Sequence, residues 1–249
     1  MFSSSLEAPP PPEALPQDPR KRQRVLVWVT AFSVLGLAWL IKITGEVGSG
    51  RSETIDRVLL RRVNLLSQSS EGDWMTPAAK FISLIGNWQF VAPLGALVLF
   101  FAWRKRLPWR SFLLYLVSVA GSSALTLAFK YGVNRPRPEI VPPLEKAPFA
   151  SFPSGHTVFA LVVYGFLAHL ILSHVDRPSR WLMGLLYGLA VLIAGMVGLT
   201  RVYLATHYPT DVVAGFLIGA PLLLTVIALD NHFAPSRDIP TDPPAHAIK

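Results

Sequence analysis

The chain contains no cysteine, which excludes disulfides and thiolate metal sites and leaves no trace of a redox compartment. It is also short of charge, with 15% Asp, Glu, Lys and Arg among 249 residues. Soluble domains carry about 25%. The deficit, the 51% hydrophobic content and the mean hydropathy of +0.42 together point to a membrane protein. Acidic residues are scarcer than basic ones, 15 against 23, leaving a net charge of +8. In a membrane protein such an excess marks loops on the cytoplasmic side, so no nucleic-acid partner is expected. No internal repeat is visible. No cleavable signal is visible either, because the first apolar run is too long for a signal core and no small-residue cleavage pattern closes it.

What is present falls into three parts. Residues 1–24, "MFSSSLEAPPPPEALPQDPRKRQR", are proline-rich with a basic end, and a disordered cytoplasmic tail is expected. Residues 231–249 form a polar C-terminal tail. Between them, residues 25–230 hold six apolar stretches near the ~20 residues that a bilayer-crossing helix needs. These are about 25–43, 84–103, 111–130, 156–174, 181–200 and 212–229, the second interrupted by Asn87, Gln89 and Pro93. The expected fold class is all-α, an integral membrane bundle of six transmembrane helices.

Short basic connections set the expected orientation. Arg20, Lys21, Arg22 and Arg24 precede the first span, Arg104, Lys105, Arg106 and Arg110 separate the second and third, and Arg177 and Arg180 separate the fourth and fifth. All fall on one side of a six-span chain, which places both termini in the cytoplasm. The fit is that of a bacterial inner membrane. The connections at 44–83, 131–155 and 201–211 then face the other compartment. The first of these also carries Arg51, Arg57, Arg61, Arg62 and Lys80. Its segment "SETIDRVLLRRVNLL" aligns Ile55, Leu59, Val63 and Leu66 on one helical stripe, as in an amphipathic helix lying in the interface. A solvated charged face is the plainer alternative. Trp88, Trp103, Trp109 and Trp181 sit near span ends, where interfacial anchors belong.

The chemistry-bearing residues gather in the outer connections. "KYGVNRPRPE" follows the third span, "FPSGH" opens the fourth, and "LTRVYLATHYPTD" closes the fifth. They supply Lys130, Arg137 and Arg201 as cations, His156 and His207 as titrating groups, and Asp211 as a carboxylate. Guanidinium forks and a lysine suit phosphate oxygens. The free N–H groups of a helix start add donors, Ser154 can offer a hydroxyl, and Gly155 lets an anion approach the backbone. His207 and Asp211 are four apart, so a helix beginning near Pro209 lets the carboxylate reach back to the imidazole. An oriented histidine can attack phosphorus, and His156 can protonate the leaving oxygen. No metal or other cofactor is required, since the cations neutralise the phosphoryl charge.

These three segments resemble the signature motifs of the type 2 phosphatidic acid phosphatase superfamily, which also includes bacterial acid phosphatases and vanadium haloperoxidases. Lys, six residues and Arg-Pro are matched by Lys130, Arg137 and Pro138. Pro-Ser-Gly-His is matched at Pro153, Ser154, Gly155 and His156. Ser-Arg, five residues, His, three residues and Asp is matched by Arg201, His207 and Asp211, with Thr200 where the family usually has serine. The resemblance implies a membrane lipid phosphatase working through a phosphohistidine. His207 would be the nucleophile, His156 the acid, and Asp211 the orienting group. Lys130, Arg137, Ser154, Gly155 and Arg201 would hold the phosphate. It implies an extracytoplasmic site that admits a membrane lipid sideways, with the 52–66 segment as a guide. Phosphatidic acid, diacylglycerol pyrophosphate, phosphatidylglycerol phosphate and undecaprenyl diphosphate are the substrates in view. The alternatives are a lipid phosphotransferase using the same phosphohistidine and a catalytically silent scaffold or transporter.

Other polar residues carry plainer expectations. Arg135 is either a second phosphate contact or a loop partner of Glu139. His169 and His174 are packing or interfacial residues, and His232 and His246 have no assigned role.

Overall fold

Uninterrupted apolar runs leave backbone amides no partner in hydrocarbon except their own, so each run closes into helix. The computed structural model describes residues 19–69, 72–175 and 177–233, and these contain eight α-helices and no strand. The helices are α1 (Pro19–Gly48), α2 (Glu53–Ser67), α3 (Gly72–Ile85), α4 (Trp88–Trp103), α5 (Trp109–Val133), α6 (Gly155–Ser173), α7 (Arg180–Tyr203) and α8 (Pro209–Phe233). Six stretches are long and apolar enough to cross a membrane: Thr30–Gly48, Gly72–Trp103, Trp109–Val133, Gly155–Ser173, Arg180–Tyr203 and Pro209–Phe233.

Two expectations are revised. The second span is built from two helices rather than one. It begins with α3 and breaks at Gly86 and Asn87, where the Asn87 side chain accepts from the Trp88 N–H at 2.7 Å to start α4. Within the proposed disordered start, residues 19–24 are already helical, since α1 begins at Pro19. Residues 1–18 of that tail, and residues 234–249 of the C-terminal one, lie outside the described residues.

Helix α6 is the centre of the bundle, packed against α5, α7 and α8, and 67% of its apolar window is buried against 11–28% in the other spans. In lipid, where burying apolar surface gains little, close approach of backbones supplies the association. Gly215 illustrates this, because a Cβ there would meet the Thr157 side chain at 2.8 Å and the Ser154 carbonyl at 3.0 Å. Gly198 does the same between α7 and Val212 of α8. The outward faces remain apolar and exposed, as at Phe32, Leu116, Leu192 and Leu199. Trp88, Trp103, Trp109 and Trp181 are all exposed at helix ends.

Helix α2 forms over the expected amphipathic segment, with an informative orientation. Three of the four stripe residues, Ile55, Leu59 and Leu66, are exposed and turned away from the bundle, while Val63 packs inward beside Leu60 and Leu204. The rest of the inward face is Asp56, Leu60 and Asn64, all buried.

The basic connections, α4 to α5 and α6 to α7, lie at one end of the bundle, and the motif-bearing ones, α5 to α6 and α7 to α8, at the other. At the basic end, Arg110 is more than a topology marker. Its Nε donates to Asp230 Oδ1 at 3.1 Å, and Asp230 Oδ2 lies 3.0 Å from His169 Nε2. His169 therefore belongs to a charge cluster joining α5, α6 and α8, and its ring stacks on Phe166. His174 caps the end of α6, exposed, with Nδ1 2.9 Å from the Leu170 carbonyl.

Candidate active site

The three motifs meet at one end of the bundle because α5 and α7 finish there while α6 and α8 begin there. Asn134, in the left-handed region at φ 47°, ends α5 one turn after Lys130 and sends the chain into the 134–154 loop. After α7, the N–H groups of Thr206 and His207 both donate to the Arg201 carbonyl, at 3.1 and 3.2 Å. That turn folds His207 back over the end of its own helix. Pro209 opens α8, a position where its missing N–H costs nothing.

The start of α8 sets the geometry of the His207–Asp211 pair. Asp211 is the third residue of the helix, and its Oδ2 accepts from the Tyr208 N–H at 2.9 Å, the reach-back of a capping box. The same oxygen lies 3.4 Å from His207 Nδ1. With Nδ1–H directed at the carboxylate, Nε2 keeps its lone pair for a reacting atom. His207 is 2% exposed and Asp211 fully buried. Burial pushes the His207 imidazole down from 6.5 to about 4, with Arg137 and Arg201 adding to the push and Asp211 opposing it. The ring is therefore neutral at physiological pH, as a nucleophile must be.

The cations surround this pair. Lys130 donates to the Ala150 carbonyl and lies within electrostatic reach of Arg137, Asp211 and Arg201. Arg137 is fixed by three carbonyls, with Nε to Phe149 at 3.0 Å, Nη2 to Pro148 at 2.7 Å, and Nη1 to Thr206 at 2.5 Å. Burial pushes its guanidinium down, and Arg201 pushes the same way. Arg201 is 1% exposed, and its Nη1 donates to Ser83 Oγ at 2.6 Å and to Glu145 Oε2 at 3.0 Å. Its Nε is buried without a partner, which leaves a donor free for an anion.

His156 stands in the first turn of α6, within electrostatic reach of Arg201, His207, Arg137 and Lys130. Ser154 precedes that helix fully buried, with its N–H donating to the Asp211 carbonyl at 2.9 Å and its hydroxyl accepting from Thr157 at 3.0 Å. Gly155 packs against Thr126, where a Cβ would sit 3.1 Å from the threonine methyl. Thr200 donates to the Val197 carbonyl at 2.7 Å, so its hydroxyl serves its own helix. All eight residues singled out from the sequence are thus brought to one place.

Arg135 is not a partner of Glu139. Its partners are Asp211 Oδ1 through Nη1 and Asp56 Oδ2 through Nη2, each at 2.7 Å, rather than Glu139. The two carboxylates outweigh the cost of burial and hold its guanidinium above the ordinary range. Asp56 and Glu145 escaped the sequence reading altogether. The one signal for Asp56 was an acidic residue at the edge of the apolar stripe of α2, beside Val63.

A cavity of about 760 Å³ opens between α4, α5 and α6. Gly155 and His156 stand at one end, and Val91, Ala92, Ala96 and Leu99 line its length. Its volume falls in the ~300–1,000 Å³ range of ligand pockets. An apolar trough ending at His156, which lies within electrostatic reach of Lys130, Arg137 and Arg201, suits a molecule with a greasy body and an anionic head.

Comparison with known proteins agrees with this geometry. The sequence profile of the PAP2 superfamily matches residues 111–233. Phosphatidylglycerophosphatase B of Bacillus subtilis is 32% identical over 189 residues, covering 76% of this chain and 90% of its own. Undecaprenyl-diphosphatase of Sulfolobus acidocaldarius is 30% identical over 156 residues, covering 61% of this chain and 68% of its own. The crystal structure of a transmembrane PAP2-type phosphatidylglycerolphosphate phosphatase from Bacillus subtilis superposes with a TM-score of 0.73 at 28% identity. It covers 82% of this chain and 98% of that one.

Proposed function

From the membership of this chain in the PAP2 superfamily, to which it belongs as a membrane phosphatase acting on lipid phosphates, we propose that it hydrolyses the terminal phosphate of phosphatidylglycerol phosphate through a phosphohistidine on His207. The observation that carries the reading is the meeting of the His207–Asp211 pair with Lys130, Arg137 and Arg201 beside the apolar cavity. The relatives named for phosphatidylglycerophosphate activity support this substrate.

The lipid tail lies in the trough between α4, α5 and α6, and the phosphate rests on Lys130, Arg137, Arg201, the Ser154 hydroxyl and the Gly155 N–H. The His207 Nε2 lone pair attacks phosphorus as the bond to the glycerol oxygen breaks, and His156 passes its proton to that oxygen. Asp211 stabilises the charge that develops on the imidazole. Water then attacks phosphorus, the P–N bond breaks, and His156 takes back a proton. The sum is lipid phosphate plus water giving lipid alcohol plus inorganic phosphate. The basic connections at Arg104, Lys105, Arg106, Arg177 and Arg180 support a reading in which the opposite end of the bundle and both termini are cytoplasmic and the site is at the outer interface.

The test is phosphate release by purified protein in detergent, with a chelator present, from a panel of lipid phosphates. Phosphatidylglycerol phosphate is expected to be the best substrate. Preferred release from undecaprenyl diphosphate would move the assignment to that lipid, and transfer to an added lipid without free phosphate would make the chain a phosphotransferase.

A further inference from the structure

We propose that Asp56, on α2, is a positioning residue for the His207–Asp211 pair and acts through Arg135. This rests on the reading of His207 as nucleophile.

A carboxylate on the inward face of an amphipathic helix, with no exposed surface, costs several kcal/mol unless it is compensated. Here the compensation comes entirely from the elements that build the catalytic pair. Asp56 Oδ2 accepts from Arg135 Nη2 at 2.7 Å and from Thr210 Oγ1 at 2.6 Å. Its Oδ1 accepts from the Thr210 N–H at 3.0 Å, so α2 caps the first turn of α8, one residue before Asp211.

Arg135 carries the constraint onward. Its Nη1 donates to Asp211 Oδ1 at 2.7 Å and to Thr210 Oγ1 at 2.8 Å, and its plane lies over the Tyr208 ring at 4.0 Å. The Asp211 carboxylate is therefore gripped on both oxygens, by Arg135 on one and by the Tyr208 N–H on the other. That grip sets the angle at which Oδ2 faces His207. Without Asp56, the guanidinium is free to turn both of its Nη groups onto Asp211. The carboxylate would rotate, and the 3.4 Å contact to His207 is already long.

Charge points the same way. Within the Asp56–Arg135–Asp211 triad one guanidinium serves two carboxylates, a net negative unit that offsets part of the positive field of Arg137 and Arg201 as His207 attacks. Neutralising Asp56 removes that surplus. Asp56 touches neither substrate nor the reacting atoms, so its effect belongs in the turnover step and not in lipid binding.

The experiment compares kcat and KM for lipid phosphate hydrolysis by the full chain in detergent, normalised to folded protein. Asp56→Asn is expected to lower kcat about 10- to 100-fold with KM within about twofold. Arg57→Gln, a neighbour on α2 paired with Glu53 at the exposed face, is expected to match the wild type. Wild-type kcat in Asp56→Asn overturns the proposal. So does a loss confined to the folded yield, which would make Asp56 a structural staple, or a rise in KM alone. Should Asp56→Asn not fold, Arg135→Lys is decisive, because an ammonium keeps the charge but cannot bridge two carboxylates in a plane. It is expected to show the same kcat-selective loss, and unchanged kcat overturns the proposal. A wild type silent on every lipid phosphate is a different failure, which overturns the phosphatase reading and this role with it.

Discussion

Glu145 Oε2 lies 3.0 Å from Arg201 Nη1, so the buried guanidinium at the centre of the cation cluster already holds a carboxylate. Glu145 is half-exposed on the 134–154 loop, while Arg201 is 1% exposed. The arginine is fixed and the glutamate is the member able to leave. A substrate phosphate can take the free Arg201 Nε, but it must compete with Glu145 for Nη1. Glu145→Gln is expected to lower KM and the inhibition constant of inorganic phosphate about two- to fivefold with kcat unchanged, the range of a partly exposed pair. Initial-rate kinetics with phosphate as competitor measures this. An increase in KM would mean that Glu145 aligns Arg201 rather than occupying it.

The neutral state of His207 has a stability signature. Its folded value, about 4, lies below the 6.5 of a free imidazole, so on acidification the unfolded chain takes up the proton first. The stability associated with the neutral ring is complete above about pH 6.5 and drains away as pH falls toward 4. Thermal unfolding in detergent at pH 7.5 and 4.5 tests this. The wild type is expected to lose more stability than His207→Gln over the same interval, and equal losses would place a normal imidazole at 207.

The trough between α4, α5 and α6 separates lipid from soluble substrates. Ala92 lines it without touching the cations, so Ala92→Trp should obstruct the tail and leave the phosphate site intact. Hydrolysis of long-chain lipid phosphate is expected to fall at least about tenfold, the effect of losing ~1.4 kcal/mol of binding. A short, water-soluble phosphate monoester should be turned over as before. Equal loss on both would mean that the trough does not guide the tail.

At the far end of the bundle, the His169–Asp230–Arg110 cluster joins three helices well away from the motifs. His169→Leu leaves the buried Asp230 with one partner fewer. We expect a loss of about 1–3 kcal/mol of stability and unchanged kcat/KM per folded molecule. Thermal unfolding and activity on the same preparation check it, and a selective loss of turnover would give the cluster a functional role.

The parts of this molecule that read well from sequence are those set by local pattern. Apolar run lengths placed the spans, and the Lys130, Ser154 and His207 segments announced an anion site because each motif is contiguous and sits at a helix end. Asn87 was legible as an interruption of the second span, but the extension of that span back through α3 to Gly72 was not, because Asp73, Pro77 and Lys80 break its apolar pattern. Asp56 and Glu145 were hidden for another reason. Each matters through a partner far along the chain, Thr210 for one and Arg201 for the other, and one sequence does not display such pairings. Arg135 shows the same limit, since its nearest acid in sequence, Glu139, is not its partner.

The most direct test of the account concerns the His207 nucleophile. Brief exposure of the wild type to radiolabelled phosphatidylglycerol phosphate, followed by denaturing quench at alkaline pH, should trap acid-labile phosphate on the protein at residue 207. His207→Ala should show none and should lose release by at least about a thousandfold. Label on His156, or undiminished release by His207→Ala, would contradict the account.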